Sequence, residues 1–263
     1  MKSKIITGGV MVLLTMAFGC KKEDYTYKGP SVIEFSNPPG NVNTRTIYTA
    51  NAPVVDSALI QLIGAQVSTE TKIGWDTTTT TAVLPTDVQP VGTYGQASIP
   101  ANSSHGKIAF TLQPTAAGKK LVLVLKDGDV KASVNAKTMT FNVTAVPVDW
   151  FLTGTTLTKT VKPTATTGND TIRVRITAAA ARFKQAVTFD YTIKAGSTAV
   201  EGTDFTFVTP KGKATIPAGG GDAVVVVKFN PVTASKKLDL LLSSAPGISV
   251  PAARNTFSFT VNP

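Results

Sequence analysis

Few residues in this 263-residue chain could carry a reaction. There is one cysteine, Cys20, and one histidine, His105. Nucleophilic catalysis needs a base held by an orienting partner beside an aligned nucleophile. His105, in "PANSSHGK", has no such company in the sequence and reads as a surface-turn residue. One His and one Cys do not make a zinc site, which takes several N or S ligands. Two carboxylates can cleave a glycosidic bond. The 16 Asp and Glu are scattered over turns and strands, however, and no pair stands out. No catalytic residue, cofactor or metal is expected, and the chain is not expected to be an enzyme.

Binding chemistry is also thinly represented. Carbohydrate recognition uses exposed aromatic faces with a polar handle. Trp75, in "KIGWDTTTTTAV", stands beside a threonine run and is the candidate ligand-binding residue; the alternative is a packed edge residue. Trp150 is expected to pack at a domain junction. Tyr25, Tyr27 and Tyr94 complete the short series. Single strands of nucleic acid are held by basic residues interleaved with aromatics on one face. The lysines come in pairs instead, so no nucleic-acid partner is expected.

The remaining reactive group, the Cys20 thiol, belongs to an address. The chain begins "MKSKIITGGVMVLLTMAFGC". Lys2 and Lys4 precede an uncharged, largely apolar run from Ile5 to Phe18. That run is shorter than the ~20 residues a bilayer span takes, and it has the shape of a secretory signal. Ala17 and Gly19 flank a cut before Cys20, which resembles the lipobox of bacterial lipoproteins, with Phe18 bulkier than that pattern. The resemblance implies removal of residues 1–19, a diacylated Cys20 and a tether over residues 20–30. Two acyl chains anchor stably where one is marginal. The alternative is an ordinary secreted protein with a leftover thiol. "KKED", directly after Cys20, resembles the tag of Bacteroidetes lipoproteins sent to the outer face of the outer membrane. The expected location is therefore the outer membrane, facing the exterior, with a periplasm-facing lipoprotein as the alternative.

Beyond residue 19, 24 Lys and Arg stand against 16 Asp and Glu, a net charge of +8. Such a surface attracts polyanions without specificity. Thr and Val are plentiful and favour strands. "TIRVRIT" alternates Ile172, Val174 and Ile176 with Arg173 and Arg175, and "KIAFTL" alternates Ile108, Phe110 and Leu112 with polar or small residues. This period of two marks half-buried strands. "AVVVVKF" and "KKLVLVL" are more continuously apolar and fit central strands.

The strands come in two sets. Residues 81–125 align without a gap on residues 198–242, at an offset of 117, with 18 identities in 45 positions. "TAV", "TD" and "KKL" recur in register. At an offset of 114, "DSALIQLIGA" from Asp56 faces "DTIRVRITAA" from Asp170; at 118, "MTFNV" from Met139 faces "FSFTV" from Phe257. Two copies of one unit are expected, each of a size that suits one sandwich. The expected domains are residues 31–145 and 146–263, with the boundary near Pro147.

The second copy carries Ala199, Gly202, Asp204 and Phe205, followed by Gly212, Ile216, Pro217, Ala218 and Gly219. These residues resemble the Calx-beta module, an immunoglobulin-like sandwich. The first copy matches at Ala82, Asp87, Gly95, Ile99, Pro100 and Ala101, with Pro85 and Val88 in place of the glycine and the aromatic. The resemblance implies an all-β fold of two tandem immunoglobulin-like sandwiches. It also implies company among Bacteroidetes surface lipoproteins found beside polysaccharide-uptake systems. Some relatives bind Ca²⁺ through an acidic cluster, but here Lys119, Lys120, Lys236 and Lys237 occupy the corresponding place. Calcium takes six to eight hard oxygens, so none is expected. Asp87 and Asp204 read as turn residues bonded to backbone.

"DSA", "DTT" and "DTI" resemble the Asp-Ser/Thr acceptor of Bacteroidetes O-glycosylation, which makes Ser57, Thr77 and Thr171 candidate modification sites. The alternative is an Asp that turns the chain into a strand. The functional expectation is a non-catalytic surface lipoprotein that binds glycan or assists a polysaccharide-uptake system. The alternative is a structural, adhesion-like spacer whose partner is another protein of the outer membrane.

Overall fold

A computed structural model describes residues 29–36, 43–50, 52–153, 156–164, 168–178 and 186–263. Residues 1–28, and with them Cys20, Tyr25 and Tyr27, lie outside the described residues, as does most of "TAAAARF". The described chain is strand joined by turns, with two single 3-10 turns, at Pro114–Ala116 and Ala252–Arg254.

The first unit holds β1 (Val32–Phe35), β2 (Thr44–Thr49), β3 (Val54–Ile63), β4 (Thr71–Thr77), β5 (Val88–Pro90), β6 (Gln96–Ile99), β7 (His105–Leu112), β8 (Lys120–Lys126) and β9 (Lys131–Ala132). β10 (Thr138–Phe151) runs through both units. The second holds β11 (Thr158–Val161), β12 (Asn169–Ile176), β13 (Val187–Ile193), β14 (Phe205–Phe207), β15 (Lys213–Ile216), β16 (Asp222–Phe229), β17 (Lys236–Leu242), β18 (Ile248–Ser249) and β19 (Thr256–Val261).

In the first unit one sheet runs β5-β7-β3-β1-β9 and the facing one β6-β4-β8-β10-β2. In the second unit they run β14-β16-β12-β10-β18 and β15-β13-β17-β19-β11. Every pairing in one unit has its counterpart in the other, including two parallel pairs each: β1 with β9 and β2 with β10, against β10 with β18 and β11 with β19. The fold is all-β, two immunoglobulin-like sandwiches of one topology. Each has its own core, one around Phe35, Phe110 and Phe141, the other around Trp150, Phe257 and Phe259.

The repeated sequence words explain themselves as the scaffold of this topology. Thr81 and Thr198 each accept the N–H of a β8 or β17 lysine, Lys120 or Lys237, at 2.8 Å. Each also donates its own N–H back to that lysine's carbonyl. Ala82 and Ala199 are buried behind them. Asp87 and Asp204 fold back to accept the N–H of Val83 and Val200, at 2.7 and 2.8 Å. The aspartates are turn residues.

The boundary near Pro147 falls inside a strand and not in a linker. Residues 138–142 of β10 pair with β8 and residues 148–151 with β12. Along the other edge β2 pairs with residues 140–145 and β18 with residues 146–147. The N–H groups of Thr140 and Val146 reach Asn43 and Gly247 on that second edge, as an even separation along a strand requires. Proline has no N–H to give a ladder. Pro147 sits where the first edge passes from β8 to β12, so no ladder bond is lost there. β10 is thus the last strand of one sandwich and the first of the next, a rail of 14 residues, or about 45 Å at strand rise.

Further contacts lock this junction. Ala50, just after β2, is fully buried in the core of the second sandwich. Thr49 is fully buried beside it.

Candidate functional site

Among the described residues, Trp75 and Thr77 share β4 and both touch Tyr94, while Trp150, His105, Ser57 and Thr171 lie on other strands. Trp75 is corrected first. It lies on β4 and is 5% exposed within the first core. Its Nε1 donates to the Gln96 carbonyl at 3.0 Å, and Tyr94 packs edge-on at 4.9 Å. No open indole face remains for a sugar. The strand registers show why. Trp75 pairs with Leu125 and Tyr191 with Leu242, so the two aromatics are counterparts 116 residues apart. The Tyr191 hydroxyl donates to the Pro210 carbonyl at 3.1 Å, as the indole does to Gln96. Interpolating between the offsets of 114 and 117 would have found this match. Trp75→Phe should lower stability by about 1–2 kcal/mol, through a lost hydrogen bond and lost volume. Urea melts should show that loss.

Trp150 is fully buried in the second core, where its Nε1 donates to the Asn255 carbonyl at 3.0 Å. His105 is exposed at the start of β7, opposite Gln61. Among the described residues no three or more His, Cys, Asp or Glu gather as a metal site would require.

The three modification candidates share one local geometry. Ser57, Thr77 and Thr171 each donate their backbone N–H to the carboxylate of the preceding aspartate, at 2.6, 2.8 and 2.9 Å. Each aspartate also holds a cation: Arg45 on Asp56, Lys126 on Asp76 and Lys159 on Asp170. Arg45 and Lys159 lie on the edge strands β2 and β11, and an inward-turned charge on an edge strand guards it against pairing with another chain. The aspartates therefore have a structural duty of their own. Thr171 is exposed on β12, while Ser57 and Thr77 are half-buried.

Sequence reading missed Asp149. Its side chain is 1% exposed, and both Arg175 and Arg254 bond to it. Arg175 also lies over the Phe151 ring at 4.2 Å, a cation–π geometry. An acid inside the apolar run "VPVDW" was the available signal.

Asp87 shows how the paired lysines are used. Burial pushes its carboxyl up, but the Lys119 ammonium at 2.6 Å and the Val83 N–H outweigh burial and hold it below the usual range. Asp239 is lowered in the same way, its burial outweighed by Lys237. A folded-state value below the unfolded one, ~3.9 for Asp, stabilises above that pH. The contribution is lost as pH falls through the lowered folded value. The contribution of these two carboxylates should therefore be constant above about pH 5 and decline below it. Lys119→Met should move the acid-unfolding midpoint, followed by circular dichroism, to higher pH.

On the outer face of the β6-β4-β8 sheet lies a groove of about 550 Å³. Gly74 and Ala97 line it, with Gln96 and Ser98 of β6 on one side and the turn Asp127–Gly128–Asp129 on another. Asp129 accepts the Lys72 N–H at 2.9 Å and Asp127 the Ala132 N–H at 3.0 Å, which fixes the turn.

No family model matches the chain, and no curated protein matches it. Several solved structures are similar to the chain at low identity and low TM-score. The calcium binding domain CBD12 of CALX1.1 matches at 14% identity over 77% of this chain and 79% of that one, with a TM-score of 0.35. The Yersinia pseudotuberculosis adhesin InvE matches at 11% over 88% of this chain and 58% of that one, TM-score 0.31. The collagen adhesin CNA from S. aureus matches at 10% over 89% and 92%, TM-score 0.22. These likenesses assign no ligand.

Proposed function

We propose that this chain is a non-catalytic, lipid-anchored surface protein whose two sandwiches form a stiff, adhesion-like spacer. The observation that carries the reading is β10. One unbroken strand serves both sandwiches, and β2, β18 and Ala50 brace it. Inter-domain motion is the default where a linker joins two domains; a shared strand removes that freedom. Stiffness suits a part that holds a binding surface at a set distance from a membrane. Acylated Cys20 anchors the chain in the outer membrane, facing outward, and its partner there is another surface macromolecule. Thr171, exposed on β12, is the best placed of the three modification candidates.

The test has two parts. Mass spectrometry of membrane-extracted protein should find the chain starting at a diacylated Cys20, and Cys20→Ala should release it from membranes. Small-angle scattering of residues 29–263 should fit one rigid elongated body. An unmodified soluble chain, or a scattering curve that needs a hinge between the sandwiches, would overturn the reading.

A further inference from the structure

The groove beside Gly74 is lined by the first sandwich, and the matched registers show what covers the corresponding place in the second. Gly74 pairs with Gln96 on β6, and Asp190 pairs with Lys213 on β15 at the corresponding place. In the second sandwich Lys213 reaches across to Asp190 at 2.7 Å. The neighbouring rung is filled as well. Thr188 and Thr215 join hydroxyls at 2.9 Å, where the first sandwich has Lys72 and Ser98. The same sheet face is therefore covered by a cross-strand ion pair in one copy and left open over a glycine in the other.

What the opening presents is mixed hydrogen-bonding capacity. Gln96 and Ser98 offer amide and hydroxyl groups on one wall. On the other, Asp127 and Asp129 each use one carboxylate oxygen on a backbone N–H and keep the other. Tyr94 adjoins the groove in the chain, between the lining residues Thr93 and Gly95. The residue is 48% exposed, its ring is braced on Trp75, and its hydroxyl is tied to Asp76, the next outward residue of β4 after Gly74. An immobilised, half-open ring beside convergent donors and acceptors suits a ligand with apolar ring faces and many hydroxyls. The volume is in the range of small-ligand sites. Glu70, Asp127 and Asp129 outnumber Lys72, so this patch is negative on a chain of net charge +10. Acidic saccharides are disfavoured there.

We infer that this groove of the first sandwich binds a short neutral or amine-bearing saccharide, with Gln96, Ser98, Asp127 and Asp129 as the hydrogen-bonding residues and Tyr94 as the stacking face. The inference is independent of the anchor and of the stiffness of the junction, since it concerns one sandwich alone.

The test uses residues 29–263, with amide resonances followed by NMR. Millimolar cellotriose or glucosamine trisaccharide should shift Thr93, Gly95, Gln96 and residues 127–129, while galacturonate trisaccharide should not. The double variant Gly74→Asp, Gln96→Lys transplants the pair that the second sandwich already tolerates. It should weaken binding at least tenfold while the protein stays folded, with only a small fall in melting temperature, because a Cβ at position 74 meets the Lys126 Cβ at 3.3 Å. Tyr94→Ala, a second variant, should weaken it too. Three outcomes would overturn the inference: no shift with either sugar, shifts that persist unchanged in the double variant, or shifts produced only by a lysine-rich peptide.

Discussion

Gly247→Ala should destabilise the protein by about 2–5 kcal/mol, far more than the same change at Gly196. Both glycines hold positive φ, +78° and +92°. A side chain in that region costs about 1–2 kcal/mol at either place. The difference is the surroundings. A Cβ on Gly196 would meet nothing within 4 Å, whereas one on Gly247 would lie 2.1 Å from the Ala50 carbonyl oxygen. Relief requires moving either the segment after β2 or the turn into β18, and both brace β10. Forced repacking of that kind adds about 1–3 kcal/mol. Gly196→Ala should therefore show strain alone. Gly247→Ala should also loosen the junction, so that a single melting transition broadens or splits and scattering begins to require a hinge. Equal losses in the two variants would mean that the turn at Gly247 does not couple the sandwiches.

Asp149→Asn should cost about 3 kcal/mol, because it leaves two guanidinium groups facing each other without their counter-charge. The carboxylate is 1% exposed, while Arg175 and Arg254 are 35% and 24% exposed. Solvent relieves part of the penalty, which places the loss at the low end of the range for a broken buried pair. Arg254 also donates to the Trp150 carbonyl at 3.2 Å. Asp149 therefore ties β10, β12 and the 3-10 turn before β19 at one point. The comparison is Asp190→Asn. Asp190 is 61% exposed in its pair with Lys213, and an exposed pair contributes under about 1 kcal/mol. Urea unfolding of both variants decides the matter. If Asp149→Asn loses no more than Asp190→Asn, the buried triad is not what holds the entry to the second sandwich.

The fold could be read from the chain because its determinants are local and repeated. Alternation in "TIRVRIT" and "KIAFTL" appears as strands β12 and β7, with Ile172, Val174, Ile108 and Phe110 turned into the cores. The words "TAV", "TD" and "KKL" recur because each sandwich ties the same turn to the same central strand through the same hydrogen bonds. Copying the unit copied those bonds. The sequence also showed that reactive groups are scarce, since counting Cys and His needs no coordinates.

Tertiary structure decided the rest, because those properties depend on which residues face each other across long separations. Trp75 looks like a binding residue beside a threonine run. It is a core plug because strand pairing sets it opposite Leu125, over the backbone carbonyl of Gln96. Pro147 reads as a domain break, since proline usually ends a ladder. It stays inside β10 because the partner strand changes from β8 to β12 at that residue. Asp149 finds one of its two arginines 105 residues away, a separation no local pattern encodes. The open groove likewise depends on a difference between two matched rungs, Gly74 with Gln96 against Asp190 with Lys213. That difference acquires meaning only when folding lays β4 beside β6 and β13 beside β15.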